Sequence, residues 1–259
     1  MAGVMESDHR CDSVYLERPP TADLRATVAC TWLGHVGASG VPYADRVLPD
    51  GCIDIVWNGG ELFVAGPDTG PVPIASAPGR TYVGIRFRPG RAPAALRHPA
   101  SDLRDRRVDL ADLWGTRAVR ELADQLAAVP QTAAAALLER SVRQRCDTPA
   151  DPLVDALVSR LATSPTTGPG VVAELAQQLD VSERSLHRRC TQAVGYGPKM
   201  LDRVLRLRRF LRMIAVQRQR DLGLGALAAH AGYADQAHLS RECRRLTGRT
   251  PSELCKTGA

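Results

Sequence analysis

Hydrophobic residues change their spacing partway along the chain, and the change separates two kinds of structure. From Leu24 to Pro89 they come in short runs divided by turn residues. Ala26–Leu33 (ATVACTWL) predicts a strand ended by Gly34 and Gly37, and Tyr43–Leu48 predicts another. Cys52–Trp57 alternates with period two, and Asn58-Gly59-Gly60 predicts a hairpin turn into Glu61–Ala65. Gly66–Pro71 predicts a second turn before Val72–Ala75, and Thr81–Phe87 alternates again, burying Tyr82 or Val83 according to register. Short antiparallel strands at this spacing predict a small sandwich or barrel, cupin-like in general shape. The polar segment Met1–Ser13 has no periodicity and reads as a flexible start, with Pro19-Pro20 as punctuation before the first structured run.

From Pro93 the pattern becomes helical. Ala94–Arg97 predicts one short turn, and Asp112–Val129 and Thr132–Arg145 predict two helices split at Pro130. Their stripe of Leu122, Leu126, Val129, Ala133, Leu137 and Leu138 is amphipathic, which suits either a cover for the sheet or a dimer contact and relay. Asp151–Ala162 opens a helical C-terminal region with Pro152 in its first turn, and 163–170 is a loop. The expected fold class is therefore α+β: a β-rich domain over 1–110, a helical connector over 111–150, and an all-α domain over 151–259.

The C-terminal region repeats itself. In Leu224–Leu254, Leu224, Leu227, Ala228 and Ala231 stripe a first helix that Gly232 ends in a left-handed cap. Asp235 is placed to accept a hydrogen bond from the next helix, which buries Leu239, Cys243 and Leu246 and turns Ala237, Ser240, Arg241 and Arg244 outward. Gly248 and Pro251 then close it. Val171–Pro198 carries the same core: Leu175-Ala176 matches Leu227-Ala228, Leu186 matches Leu239, Arg188-x-Cys190 matches Arg241-x-Cys243, and Gly195-x-x-Pro198 matches Gly248-x-x-Pro251. Lys199–Gln217 predicts a long helix between the units, striped by Met200, Val204, Leu207, Leu211 and Ile214. Two helix-turn-helix units on one helix would present their second helices to successive major grooves about 34 Å apart.

Charge agrees with this. Residues 151–259 hold 17 Lys+Arg against 10 Asp+Glu, whereas residues 1–150 hold 17 against 18, so the whole surplus lies in the helical part. That points to a polyanionic partner for that part alone. Lys199 and Lys256 are the only lysines, a preference that a GC-rich genome explains. The seven cysteines are scattered with no Cys-x-x-Cys pair. With no signal peptide and no long apolar run, this predicts reduced, buried thiols in a cytoplasmic protein.

The second unit, through Gly232-Tyr233, His238-Leu239-Ser240-Arg241-x-Cys243-Arg244 and Gly248-Arg249-Thr250-Pro251, resembles the signature of AraC/XylS-type transcription regulators, and the likeness covers roughly 151–256. Cys190 and Cys243 depart from it, standing where the family usually has Phe. The resemblance implies base-reading positions at Arg184, His187, Arg188 and Thr191 in the first unit and at Gln236, Ala237, Ser240 and Arg241 in the second; the helix phase points to nearly the same set. Arg189, Arg244 and Arg245 suit phosphate contacts or the solvated surface, and for Arg208 and Arg209 on the long linking helix a DNA contact and a plain surface position stand equal.

The stretches Leu48–Trp57 (LPDGCIDIVW), Ala65–Pro71 (AGPDTGP) and Gly84–Gly90 (GIRFRPG) look like a domain often found before AraC-type units in high-GC bacteria, which implies a sensory module. Trp32, Trp57, Tyr82 and Arg86 are the candidates to line an effector pocket in it, although the stronger reading of the same residues has the aromatics as core and Arg86 at the surface. Double-stranded DNA is the expected partner, with RNA polymerase, an unidentified small-molecule effector and a second copy of the chain as further candidates. No cofactor, metal or membrane is expected.

Other readings are weaker. A catalytic cupin needs clustered His and Glu ligands, but only His35 falls in a predicted strand and no His-x-His occurs. A Cys-based DNA alkyl-acceptor module, which precedes some AraC-type domains, would use Cys11, beside His9 and Arg10, or Cys52, but no zinc-spaced set of four cysteines appears. A non-enzymatic adaptor that does not touch DNA would leave the basic surplus and the doubled recognition helix without a purpose.

Overall fold

The computed structural model describes residues 13–39, 46–73, 77–146, 149–163, 170–216 and 223–257. The flexible start, Cys11 and parts of the predicted strands at 43–48 and 72–75 fall outside them. The N-terminal part is an antiparallel β domain, cupin-like in general shape, and the C-terminal part is helical.

The β domain contains β1 (Val14–Arg18), β2 (Val28–His35), β3 (Arg46–Val47), β4 (Ile53–Trp57), β5 (Leu62–Ala65), β6 (Val72–Pro73), β7 (Thr81–Phe87) and β8 (Arg107–Asp109). Six of these form one sheet in the order β1-β2-β7-β4-β5-β8, and β3 pairs with β6 in a second. The hairpin expected at Asn58-Gly59-Gly60 is present: the Asn58 side-chain oxygen accepts from the Gly60 and Glu61 amides, and β4 pairs with β5. The short edge strands β1 and β8 carry no signal of their own in the sequence, because five and three residues of mixed character show too little alternation.

Both faces of the sheet are buried at its centre, in β4, and the second face is half-buried towards its edges. Thr31, Ile85, Ile55 and Val64 lie in one cross-strand row, and the face they share joins the main core. Val83 is on that side, which settles the register of β7 and puts Tyr82 on the other. The second face carries the row Glu17, Trp32, Gly84, Val56 and Phe63. Burial of both faces is why β4 shows no exposed position despite its alternating sequence.

Helices cover the first face: α1 (Ala92–Leu96), α2 (Leu110–Trp114), α3 (Thr116–Ala127) and α4 (Gln131–Arg143). The helix expected over 112–129 is broken at Gly115, whose φ of 87° no helix accommodates. Val119, Leu122, Leu126, Ala134, Leu137, Leu138 and Val142 all enter the core of the sheet. The amphipathic stripe therefore covers the sheet except at Ala133, which is exposed while its neighbour Ala134 is buried; the outer faces of α3 and α4 are left for any partner.

The helical part contains α5 (Pro152–Thr163), α6 (Val171–Gln178), α7 (Glu183–Val194), α8 (Pro198–Val216), α9 (Leu224–Ala231), α10 (Gln236–Thr247) and α11 (Pro251–Thr257). Thr250-Pro251 does not simply end the second unit. Thr250 and Glu253 exchange side-chain and backbone hydrogen bonds that start α11. No helix among the described residues is long and apolar enough to cross a membrane.

Gly84 shows how tightly the second face is built. A Cβ there would lie 2.2–2.5 Å from the Trp32 indole, and that ring is held by a 2.8 Å bond from its Nε1 to Asp54. The ring cannot swing away without losing this bond. Gly84→Ala should cost about 1–3 kcal/mol through overpacking, read as a lower urea midpoint at unchanged slope; an unchanged midpoint would show that the indole moves freely.

Candidate nucleic-acid interface

The two helix-turn-helix units are built alike down to single hydrogen bonds. In each, the first helix closes with a backbone bond back to its last turn, Val181 N–H to the Ala176 carbonyl and Tyr233 N–H to the Ala228 carbonyl, both 2.9 Å. The left-handed residue this closure needs is Gly232 (φ 89°) in the second unit, as its sequence predicts, but Asp180 (φ 51°) in the first. Asp tolerates that region better than most residues, so the turn was hidden in a sequence searched for glycine.

Each second helix begins at a side-chain cap. The Asp235 carboxylate accepts from the His238 amide at 2.6 Å, and Ser182 Oγ accepts from the Ser185 amide at 3.2 Å. Asp235 was legible in the sequence and Ser182 was not singled out, although it stands as far before Arg188 as Asp235 does before Arg241. Each second helix ends at a left-handed glycine, Gly195 (φ 99°) and Gly248 (φ 71°). Leu186 with Cys190, and Leu239 with Cys243 and Leu246, are fully buried beneath them.

Between cap and glycine each helix turns a polar face outward. Arg184, His187 and Arg188 on α7 are exposed, and Thr191 is half-buried with its hydroxyl donated to the His187 carbonyl at 2.9 Å. His187 lies back against its own unit, since a Cβ on Gly197 would sit 2.3 Å from its Nε2. On α10, Gln236, Ala237 and Arg241 are exposed and Ser240 is half-buried. The eight candidates thus lie on the outward sides of the two second helices, mostly in their N-terminal halves, with Thr191 further along α7. Arg189 is not free for phosphate in this arrangement, because it pairs with Asp151 at 2.9 Å, whereas Arg244 and Arg245 are exposed.

α8 holds the units together. Leu201, Val204 and Leu205 enter the first core, and Leu207, Phe210 and Ile214 enter the second. Arg209, expected at the surface or on DNA, reaches the Ala231 carbonyl at 2.8 Å and the Leu161 carbonyl at 3.1 Å, so it ties both units to one helix. Arg203 forms a two-pronged pair with Glu242 on α10 at 2.6 and 2.8 Å, with both side chains largely buried.

The effector candidates separate. Trp32, Tyr82 and Arg86 share the second face of the sheet, while Trp57 lies on the first, inside the main core. Arg86 is not a surface residue: it binds Asp54 at 3.1 Å and lies 3.4 Å from Glu17 and 3.5 Å from Asp50. Burial raises the Asp54 carboxyl against the pull of Arg86. Burial would raise Asp50 too, but Arg86 and Arg208 hold it below the usual aspartate range. Cys52 is buried and its thiol is pushed well up by that burial, the opposite of an activated nucleophile. Burial likewise pushes Cys190 and Cys243 up to about 12, consistent with core packing.

Known proteins match the chain in two separate stretches. Residues 175–257 match the model of a helix-turn-helix domain, and residues 16–109 match a domain of unknown function, DUF6597. Among solved structures, the chain is similar to the C-terminal domain of AraT, a response regulator from Geobacillus stearothermophilus, at 20% identity over 41% of this chain and 86% of that one, with a TM-score of 0.38. It is also similar to ToxT from Vibrio cholerae: an apo variant at 12% identity over 98% and 100% of the two chains (TM-score 0.44), and the wild type bound to an unsaturated fatty acid at 11% over 96% of each (TM-score 0.43). No curated protein matches the chain.

The Arg203–Glu242 pair makes a testable demand on pH. Burial opposes the Glu242 charge, but the bonds from Arg203 prevail and hold its pKa below the usual 4.5. A depressed carboxylate stabilises the fold above its unfolded pKa and ceases to do so as pH falls through its folded value. Glu242→Gln should therefore lose about 1–3 kcal/mol near neutral pH, and its gap from the unmodified chain should close as pH falls below 4.5. A gap that stays constant in acid would deny the ion pair this role.

Proposed function

We propose, from the premise that residues 175–257 form an AraC-type helix-turn-helix domain and that the chain is a DNA-binding transcription regulator, that it reads a specific operator with both recognition helices at once and answers to an effector held by its β domain. The observation that carries the first half is the matched pair of exposed faces on α7 and α10, each set by an equivalent cap, core and terminal glycine. Arg184, Arg188 and Arg241 suit guanine O6 and N7, and Gln236 suits adenine N6 and N7. Ala237 offers an apolar contact for a thymine methyl group, and His187, Thr191 and Ser240 complete the two faces. Arg244 and Arg245 are assigned to phosphate.

Support for the second half is the polar, aromatic face of the sheet. Trp32, Tyr82 and Arg86 lie there with Tyr15, Phe63, Asp54 and Glu17. An effector on this face meets aromatic surface for contact and Arg86 for orientation. Trp57, on the opposite face, is core and not part of that site. No step in this reading needs a catalytic residue, and the buried, protonated Cys52 supplies none.

Binding to DNA should weaken steeply with salt, because each phosphate neutralised releases condensed counterions. Arg188→Ala and Arg241→Ala should each lose about 1–3 kcal/mol of discrimination at one base position of a selected operator while keeping most of the salt slope. Selection from a random duplex library followed by titration at several salt concentrations checks both. Unaltered base preference in both variants would refute the assignment of these helices.

A further inference from the structure

The β domain touches the end of each recognition helix, and one short loop takes part in both contacts. Gly195, which ends α7, faces Pro67 and the Ala100 carbonyl: a Cβ added to it would lie 2.4 Å from Pro67 Cγ and 3.0 Å from that oxygen. Gly248, which ends α10, faces Arg46 and Pro71, at 2.7 Å from Arg46 Nη1 and 3.9 Å from Pro71 Cγ by the same measure. Arg46 Nη1 also donates to the Thr247 carbonyl at 3.1 Å, giving the last turn of α10 a cation at its negative end. Pro67 and Pro71 are the two ends of the loop between β5 and β6. A single loop therefore spans the equivalent ends of both recognition helices.

The two units do not share a core. Each packs on its own stretch of α8, with only Met200 bordering both clusters. Their mutual placement depends on the stiffness of that helix, on Arg209, which reaches carbonyls at the ends of α5 and α9, and on whatever else connects them. The first unit is docked firmly on the β domain: Gly90 lies against Val154 and Val194, Gly51 against Tyr196 and Leu201, and Arg91 pairs with Asp155 at 2.8 Å; Arg208, on the stretch of α8 that enters the second core, also donates to the Asp50 carbonyl at 3.0 Å. At the end of the second unit, Arg46 and Pro71 supply contacts from the β domain. None of them covers the outward faces of Arg184, Arg188, Gln236 or Arg241, which stay exposed.

We infer that the loop at 66–71, together with Arg46, is a brace that fixes the distance between the two recognition helices and so sets the spacing between the two base clusters the chain reads. Arg46, Pro67 and Pro71 are then positioning residues: they determine operator geometry without touching a base. The part of this that concerns operators rests on the DNA-reading function proposed above. The part that concerns distance does not.

The test uses the full chain and releases only the second unit, with Arg46→Ala and Pro71→Ala combined. Spin labels placed by non-cysteine chemistry at the equivalent exposed positions 192 and 245 report the distance between α7 and α10 without DNA; Cys255 is exposed and would compete for a thiol label. The wild type should give one narrow distance and the double variant a broad one. In a duplex library whose two selected clusters are separated by variable spacers, the preference for the best spacer over the next should fall about five-fold or more, the low end of ordinary coupling between sites. Arg46→Lys with Pro71 intact should keep both properties, since the cation still reaches the helix end. An unbroadened distance in the double variant overturns the brace. A broadened distance with unchanged spacer preference overturns its role in specificity. A wild type that selects no sequence refutes the proposed function, while the distance measurement still decides the brace.

Discussion

The structure of the helical part depends on α8, one helix asked to serve two cores. A helix normally buries one stripe, but α8 turns Leu201, Val204 and Leu205 into the first unit and Leu207, Phe210 and Ile214 into the second. Its arginines do the remaining positioning. Arg203 grips Glu242 on α10, Arg209 reaches carbonyls at the ends of α5 and α9, and Arg208 reaches across to the β domain. Helix ends leave carbonyls without partners, and a long cationic side chain from a neighbouring helix satisfies them while keeping the two elements at one distance. Arginine usage that composition explains as codon preference is, at these positions, structural.

The β domain solves a different problem. Its sheet is buried on both sides at its centre, and the second side contains Arg86 among Glu17, Asp50 and Asp54. Charges in that setting persist only when paired and hydrogen-bonded. The network extends outward, since Asp50 presents its carboxylate to Arg86 and its carbonyl to Arg208 of α8. The interior of the β domain and the spine of the helical part thus meet at Asp50, beside the packing of Gly51 near Leu201. An effector that changed the partners of Arg86 would act directly on the residue that anchors α8.

Much of this was legible in the chain itself. The strands at Val28–His35, Ile53–Trp57 and Thr81–Phe87, the hairpin at Asn58, the second unit with its Gly232, Asp235 and Gly248, and the repeat that matches it all rest on local chemistry: alternation, a glycine where the backbone turns left-handed, and a carboxylate where free amides gather. Local chemistry in a less common form gives no such signal. Asp180 does the work of a glycine, Ser182 caps without having been singled out, and Gly115 divides a stretch whose apolar spacing runs on without a break. The short edge strands and α11 lie below the length at which periodicity carries a signal.

The sequence by itself determined the kinds of element, the doubling of the helix-turn-helix and the outward residues of each unit's second helix, because these depend on neighbours three or four positions away along one helix. Only the tertiary structure decided where side chains from distant segments meet. It separated Trp57 from Trp32, Tyr82 and Arg86, drew Arg208 and Arg209 in from the surface, and set Pro67 and Pro71 against the ends of α7 and α10. Each of these contacts spans from tens of residues to well over a hundred, and no periodicity records it. They arise from how two cores and a sheet fit around one helix, which is a property of the packed molecule.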